Sequence, residues 1–258
     1  MRRVLSAIAL TLAASCTPVD PEGPLDEDGD PIPQPGPYDT WLEVESITPA
    51  AGELGREPWI ALRFGAYLDD DSFRSFGTMQ LEAGGITQRG EIRYVMTDKT
   101  LYWRPYAALR SGFVYELDLT LEGVESVTGA PFLEPAELPT YRVDAGVADA
   151  PFGRDDSPVT FDEVSEIFDA RCASCHGSDD WPDLVELQRE QLLTYVQPNL
   201  DRVMVRAGDP SDSYLMHKLI EDYPDRQNGP CPPTWSDDPE PLTRDELWLI
   251  ERWITSPD

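Results

Sequence analysis

The chain is short of cysteine, histidine and positive charge. Its 258 residues hold four cysteines, two histidines and 20 Lys and Arg against 49 Asp and Glu, a formal net charge of −29. That acid excess makes nucleic acid and anionic lipid headgroups poor partners for the folded part and would steer in a basic partner protein. It equally serves to keep a protein outside the cytoplasm soluble. No cysteine lies between residues 39 and 145, so that stretch has no inter-sheet disulfide. After residue 14 no run is long and apolar enough to span a bilayer. P-loop, zinc-protease and Gly-x-Ser-x-Gly motifs are absent, and nothing in the chain points to catalysis by the protein itself.

What is present is concentrated in Cys172-Ala173-Ser174-Cys175-His176. Two thiols three positions apart lie close enough to add to the two vinyl groups of one porphyrin. The adjoining histidine then reaches the iron as proximal ligand. Cys-x-x-Cys-His is the attachment signature of a c-type haem. With so few cysteines and histidines, a chance match is on the order of 1 in 2,000, which weighs against coincidence. Other readings of these residues are half a zinc site, which would need Cys231 and His217, a redox dithiol without its βαβ context, and a plain disulfide that leaves His176 without a role. The motif occurs once, so one covalent haem is expected and a two-haem peroxidase is excluded.

Residues 1–16 read as a signal peptide: Arg2 and Arg3, then apolar Val4 to Ala14, then Ala13-Ala14-Ser15-Cys16. The small residues running into Cys16 resemble the lipobox of bacterial lipoproteins, with Leu12 one place early. The resemblance implies lipidation of Cys16 and a membrane anchor; an ordinary cleaved signal peptide is the other reading. Residues 17–38 alternate proline with Asp and Glu and form an extended, semi-stiff linker.

Residues 39–145 read as all-β. In Phe113 to Leu119 the apolar residues 113, 115, 117 and 119 share one face, opposite Glu116 and Asp118. Leu42 to Glu45 and Ile60 to Phe64 alternate likewise, and 78–82, 90–96, 100–104 and 140–144 are further candidates. About seven short strands predict a sandwich. Trp59, Tyr102 and Trp103 are read as core in preference to a binding surface. The stretch is similar to bacterial Ig-like domains through Thr48-Pro49-Ala50-Ala51-Gly52, Pro105 to Leu109 with Gly112, and Thr128-Gly129-Ala130-Pro131. With no catalytic constellation in it, the stretch is read as a spacer or docking module.

After a polar linker at 146–157 the texture becomes helical. Thr160 with Glu163 forms a capping box, and Val164, Phe168 and Cys172 share one helix face. A second helical region is expected over Leu184 to Val196, and a third opened by Asp209 and Pro210. Thr243 with Glu246 opens the last, with Leu247, Ile250 and Ile254 as its buried stripe and Trp248 and Trp253 as packing residues.

Residues 158–258 resemble class I cytochrome c domains, particularly those of planctomycete and myxobacterial surface proteins. The residues that carry the likeness are Cys172 to Gly177, Gly208-Asp209-Pro210, Ser213-Tyr214-Leu215 with Lys218-Leu219, Pro241-Leu242-Thr243 and Trp253-Ile254. The resemblance implies one-electron transfer by a haem c held by Cys172, Cys175 and His176. The family's distal methionine slot holds Cys231 here. Met216, His217 and Met204 are the competing iron ligands. The expected whole is an all-β Ig-like sandwich followed by a small all-α cytochrome c domain. It would sit on an extracytoplasmic lipoprotein anchored at the membrane and facing periplasm or cell surface, with a redox protein as partner. A haem-based sensor or ligand binder, and a non-redox surface interaction protein, are the alternatives.

Overall fold

Period-two alternation marks most of the longer strands. In β8 (Val114–Thr120) Tyr115, Leu117 and Leu119 are buried while their neighbours face outward. The same rule holds in β3 (Ile60–Phe64), β4 (Thr78–Ala83), β7 (Thr100–Pro105) and β10 (Thr140–Val143), whereas in β1 (Leu42–Thr48) it is broken by an irregularity between Val44 and Ser46 and in β6 (Gly90–Val95) it is not visible. The computed structural model describes residues 41–173, 176, 189–197, 202–220, 222–224 and 242–256. All of them belong to one compact unit, Pro35–Asp258.

Three short strands complete the sheets: β2 (Gly52–Leu54), β5 (Ile86–Gln88) and β9 (Phe132–Leu133). One sheet has the order β6-β7-β3-β1-β9 and the other β2-β10-β8-β4-β5. Neighbours are antiparallel except β1 with β9 and β10 with β2. Ile60 pairs with Trp103 and Leu62 with Leu101, which fixes the register of the first sheet. Leu81 opposite Leu117 does so in the second. Side chains of both sheets fill one core, with Leu42, Ile60, Phe64 and Trp103 from the first and Leu81, Tyr115, Leu117 and Tyr141 from the second. Each such burial contributes roughly 1.5–3 kcal/mol.

The β region thus holds ten strands among its described residues, not about seven. It also contains a helix, α1 (Asp70–Phe76), and a 3-10 turn, Met96–Asp98. Asp69 caps α1 by accepting from the amides of Asp71 and Ser72. Phe113 falls outside β8 and is exposed. Trp103 is fully buried, whereas Trp59 and Tyr102 form a satellite cluster with Phe152 and Trp248.

The helical part begins at α2 (Phe161–Arg171) and ends with α5 (Arg244–Thr255); both carry the expected capping boxes. The two pack together. Arg171 Nε donates to Glu246 Oε1 at 2.9 Å, and the Phe161 and Trp253 rings lie 5.3 Å apart. Between them are α3 (Arg189–Thr194), a small hairpin of β11 (Val196–Gln197) and β12 (Arg202–Val203), and α4 (Tyr214–Leu219). The expected helix over Leu184 to Val196 is present at α3; residues 184–188 lie outside the described residues, and Val196 turns into the hairpin.

Residues 146–157 contain neither helix nor strand, yet they are fastened along α5. The Asp155 carbonyl accepts from Trp248 Nε1 at 2.9 Å and from Arg252 Nη1 at 2.7 Å. Phe152 is buried between Trp59, Tyr102 and Trp248. The segment is a strap joining the two parts.

Candidate haem-attachment site

The site is built on the last turn of α2. Its capping box starts the helix at Phe161, and the stripe Val164, Ile167, Phe168 turns into the core. Cys172 follows on that stripe as the C-cap and is buried; its amide donates to the Phe168 carbonyl at 2.8 Å. The His176 amide donates to the Cys172 carbonyl at 2.8 Å, which ties the histidine to the first cysteine through the backbone. His176 is half-buried. Cys175 lies outside the described residues, as do Cys231 and Cys16.

Around Cys172 the helical core gathers Val164, Phe168, Leu192, Met204, Leu215 and Met216. Met216 is fully buried on α4. Met204 joins by backbone bonds, accepting from Leu215 N at 2.9 Å and donating to the Tyr195 carbonyl at 2.8 Å. The thiol and both methionines therefore share one apolar cluster. These described residues fit a haem c: one attachment thiol in apolar surroundings, a histidine bonded to it through the backbone, and thioethers in the same core.

His217 is placed differently. Its Nε2 lies 2.6 Å from the Ser211 carbonyl, and Nδ1 lies 3.2 Å from Arg202 Nη1. A carbonyl only accepts and a guanidinium only donates, so Nε2 carries the proton and Nδ1 accepts. The ring stacks on Tyr223 with centroids 4.3 Å apart. Both ring nitrogens are thereby engaged by protein partners.

The expected helix start at Asp209 and Pro210 is corrected by the structure: α4 begins at Tyr214. Asp209 caps a turn instead, accepting from Ser211 Oγ at 2.7 Å and Asp212 N at 3.2 Å. Its other oxygen takes Arg74 Nη1 at 2.8 Å. Gly208 has φ +81, open to glycine at no steric cost, and its amide reaches the Ile254 carbonyl at 2.8 Å. The Gly-Asp-Pro motif is thus a brace between α1, α4 and the end of α5.

Sequence reading missed the contacts between the β region and the helices. Glu251 of α5 accepts from Met96 N at 2.6 Å and Thr97 N at 3.0 Å. Burial pushes its carboxyl up to about 7, against the pull of bonds from Thr97 and Met96. Asp98 accepts from Arg154 and from Arg244, the latter through Nε at 2.8 Å. Tyr67 donates to Asp222, which also takes Lys99 Nζ at 2.9 Å. Burial first, then the bond to Asp222, raises the Tyr67 phenol. One sequence signal was available for Glu251: it stands four residues after Leu247, an acid on an apolar stripe. The partners of Asp98 and Asp222 lie too far off in sequence to leave any such mark.

Comparison with known proteins agrees with this part of the molecule. The family model Cytochrome c matches residues 161–257. Residues 161–257 are a cytochrome c domain, preceded by a two-sheet β region. A cytochrome c domain implies covalently bound haem c and haem-based electron transfer, and such domains are usually extracytoplasmic. No curated protein matches the chain. Similar solved structures include an L,D-transpeptidase 1 from Mycobacterium tuberculosis, at 12% identity over 40% of this chain and 39% of that one, with a TM-score of 0.26. The S-layer protein rSbsC is 14% identical over 46% of this chain and 16% of its own, with a TM-score of 0.30. PcoC, a methionine-rich copper resistance protein from Escherichia coli, is 17% identical over 40% of this chain and 99% of its own, with a TM-score of 0.31. Likenesses this slight carry no argument. Among the described residues, no helix is long and apolar enough to cross a membrane.

Proposed function

We propose that this protein is an extracytoplasmic lipoprotein that carries one covalent c-type haem and passes single electrons, without catalysis of its own. The observation that carries the reading is the end of α2. There Cys172 is buried, and His176 is tied to it by a backbone bond, within the stretch that matches cytochrome c. Cys172 and Cys175 would hold the porphyrin, and His176 would be the proximal ligand. Haem bound there supplies one-electron iron chemistry. The chain's part is to exclude water through the apolar core around Cys172 and so to tune the potential.

For the second axial position, the described geometry favours Met216, which is fully buried in the core that holds Cys172. His217 is disfavoured because both ring nitrogens are engaged elsewhere. Cys231 remains the rival named by the family resemblance. Electron paramagnetic resonance of the oxidised protein separates the two. A His/Met signal lost in Met216→Ala supports Met216; a thiolate signal lost in Cys231→Ser supports Cys231 instead.

The β region is read as an Ig-like sandwich that holds the cytochrome c domain off the membrane. Residues 17–38 would be its tether, Cys16 its lipid anchor and a basic redox protein its partner. A single myristoyl-type chain binds membranes only marginally, so an anchor of several chains is needed. Cys16→Ala is expected to release the protein from the membrane fraction or stall its processing. For the central activity the test is a spectroelectrochemical titration of protein matured with the haem-attachment machinery. One wave with one-electron slope is expected. Two waves, or no reversible wave, would contradict a single-haem carrier.

A further inference from the structure

Beside the strap at 146–157, one short turn of the β region fastens the two parts together. Residues 96–99 of the β region grip the helical domain at three places. The Met96 and Thr97 amides reach Glu251 in the middle of α5. The Asp98 carboxylate reaches Arg244 at the start of α5, two helical turns away, and also Arg154 of the strap. Lys99, at φ 53, reaches Asp222 just beyond α4. Asp98, Arg244, Arg154, Lys99 and Asp222 all belong to ion pairs. Glu251 does not: among the described residues no cation is paired with it, although its residue is only 1% exposed.

We propose that Glu251 is a proton-linked latch between the β region and the cytochrome c domain, closed most firmly when its carboxyl is protonated. The geometry explains why. A carboxylate buried at this seam loses its water and gains two backbone N–H bonds and no counter-charge. Burying an uncompensated charge is costly, so the neutral form is the one the closed seam prefers. The nearby cations are already committed. Arg252 bonds the Asp155 and Ser157 carbonyls, Arg74 pairs with Asp70 and Asp209, and Arg93 pairs with Glu91 and Asp156. The other groups facing the carboxyl are Asp98, whose charge opposes ionisation, the phenol of Tyr94, raised first by burial, and the Thr97 hydroxyl. A cavity of about 520 Å³ adjoins Glu251 between the two parts, lined also by Asp70, Tyr94, Pro210 and Trp248. It gives water a route to the carboxylate when the seam loosens.

The sign follows from linkage. The closed seam holds the carboxyl at about 7, while its ordinary value is 4.5. Closing therefore takes up a proton between those values. The latch is tightest below 4.5, weakens as pH rises, and levels off above about 7. The full change is on the order of a hundredfold in the closing equilibrium.

The test uses the full chain and needs no assumption about what the cytochrome c domain carries, so its outcome is separate from that of the haem assignment. The readout is amide hydrogen exchange at Met96 and Thr97, corrected for the intrinsic pH dependence of exchange. In the wild type, protection should fall by on the order of a hundredfold between pH 4.5 and 7.5 and stay level above that. Glu251→Gln should abolish the dependence. Asp70→Asn, which removes the other raised carboxyl at the cavity, should keep it. A wild-type protein with flat protection, a Glu251→Gln protein with unchanged slope, or loss of the slope in Asp70→Asn overturns the latch. A carbon-13 titration of the Glu251 carboxyl in the wild type decides the matter even if the variants fail to fold. A midpoint near 7 supports the latch and one near 4.5 sinks it.

Discussion

The two cores of this molecule are closed in different ways. The β region fills its core from its own strands, with Trp103, Tyr115, Phe64 and Tyr141 at the centre. The cytochrome c domain does not. Its core of α2, α4 and α5 side chains includes Tyr67 and Met96, which the β region contributes. A small helical domain buries a smaller share of its surface and gains more from a borrowed side chain. The difference teaches that a boundary legible in sequence composition need not be a boundary in packing.

The strongest test of that asymmetry compares two fully buried tryptophans. Trp103→Ala and Trp253→Ala should each cost about 3–5 kcal/mol. Trp253→Ala should leave the amides of Leu81 and Leu117 protected from exchange while α2 and α5 lose protection. Trp103→Ala should loosen both regions, because Tyr67 and Met96 move with the strands. Equal and separate losses would break the comparison.

Met96→Ala removes one borrowed side chain and should cost about 3 kcal/mol, read by denaturant unfolding monitored in α5. If the loss appears in the sheets alone, Met96 is not part of the helical core. Asp98→Ala leaves Arg154 and Arg244 without their shared carboxylate. Arg244 is more than half exposed, so the cost is about 2 kcal/mol, below that of a fully buried pair. Smallest are the caps. Thr243→Ala should cost about 1 kcal/mol and fray α5, while Asp69→Ala should cost about 1 kcal/mol and fray α1. Exchange at the first-turn amides of each helix distinguishes the two.

Much of the fold could be read from local pattern. Strands such as Ile60–Phe64 and Val114–Thr120 show alternation over five or more residues, and both capping boxes announce their helices. What escaped was short or non-local. Gly52–Leu54, Ile86–Gln88 and Phe132–Leu133 are too brief to alternate visibly. Helix α1 is seven residues long and depends on Asp69. Asp209 and Pro210 look like a helix start, yet Ser213 Oγ donates to the Asp209 carbonyl at 2.7 Å and holds a turn there, so the helix waits for Tyr214. For the candidate site, Cys172 and His176 were legible because haem-attachment chemistry would require their spacing. The latch at Glu251 was not, since the amides it binds are 154 and 155 positions away.

The central claim is that Cys172 and Cys175 anchor a haem whose iron meets His176. Acid–acetone extraction of protein matured with the haem-attachment machinery addresses it most directly. The wild type should keep its haem absorbance after extraction, and the Cys172→Ala, Cys175→Ala double variant should lose it. A double variant that retains as much haem as the wild type would contradict the account.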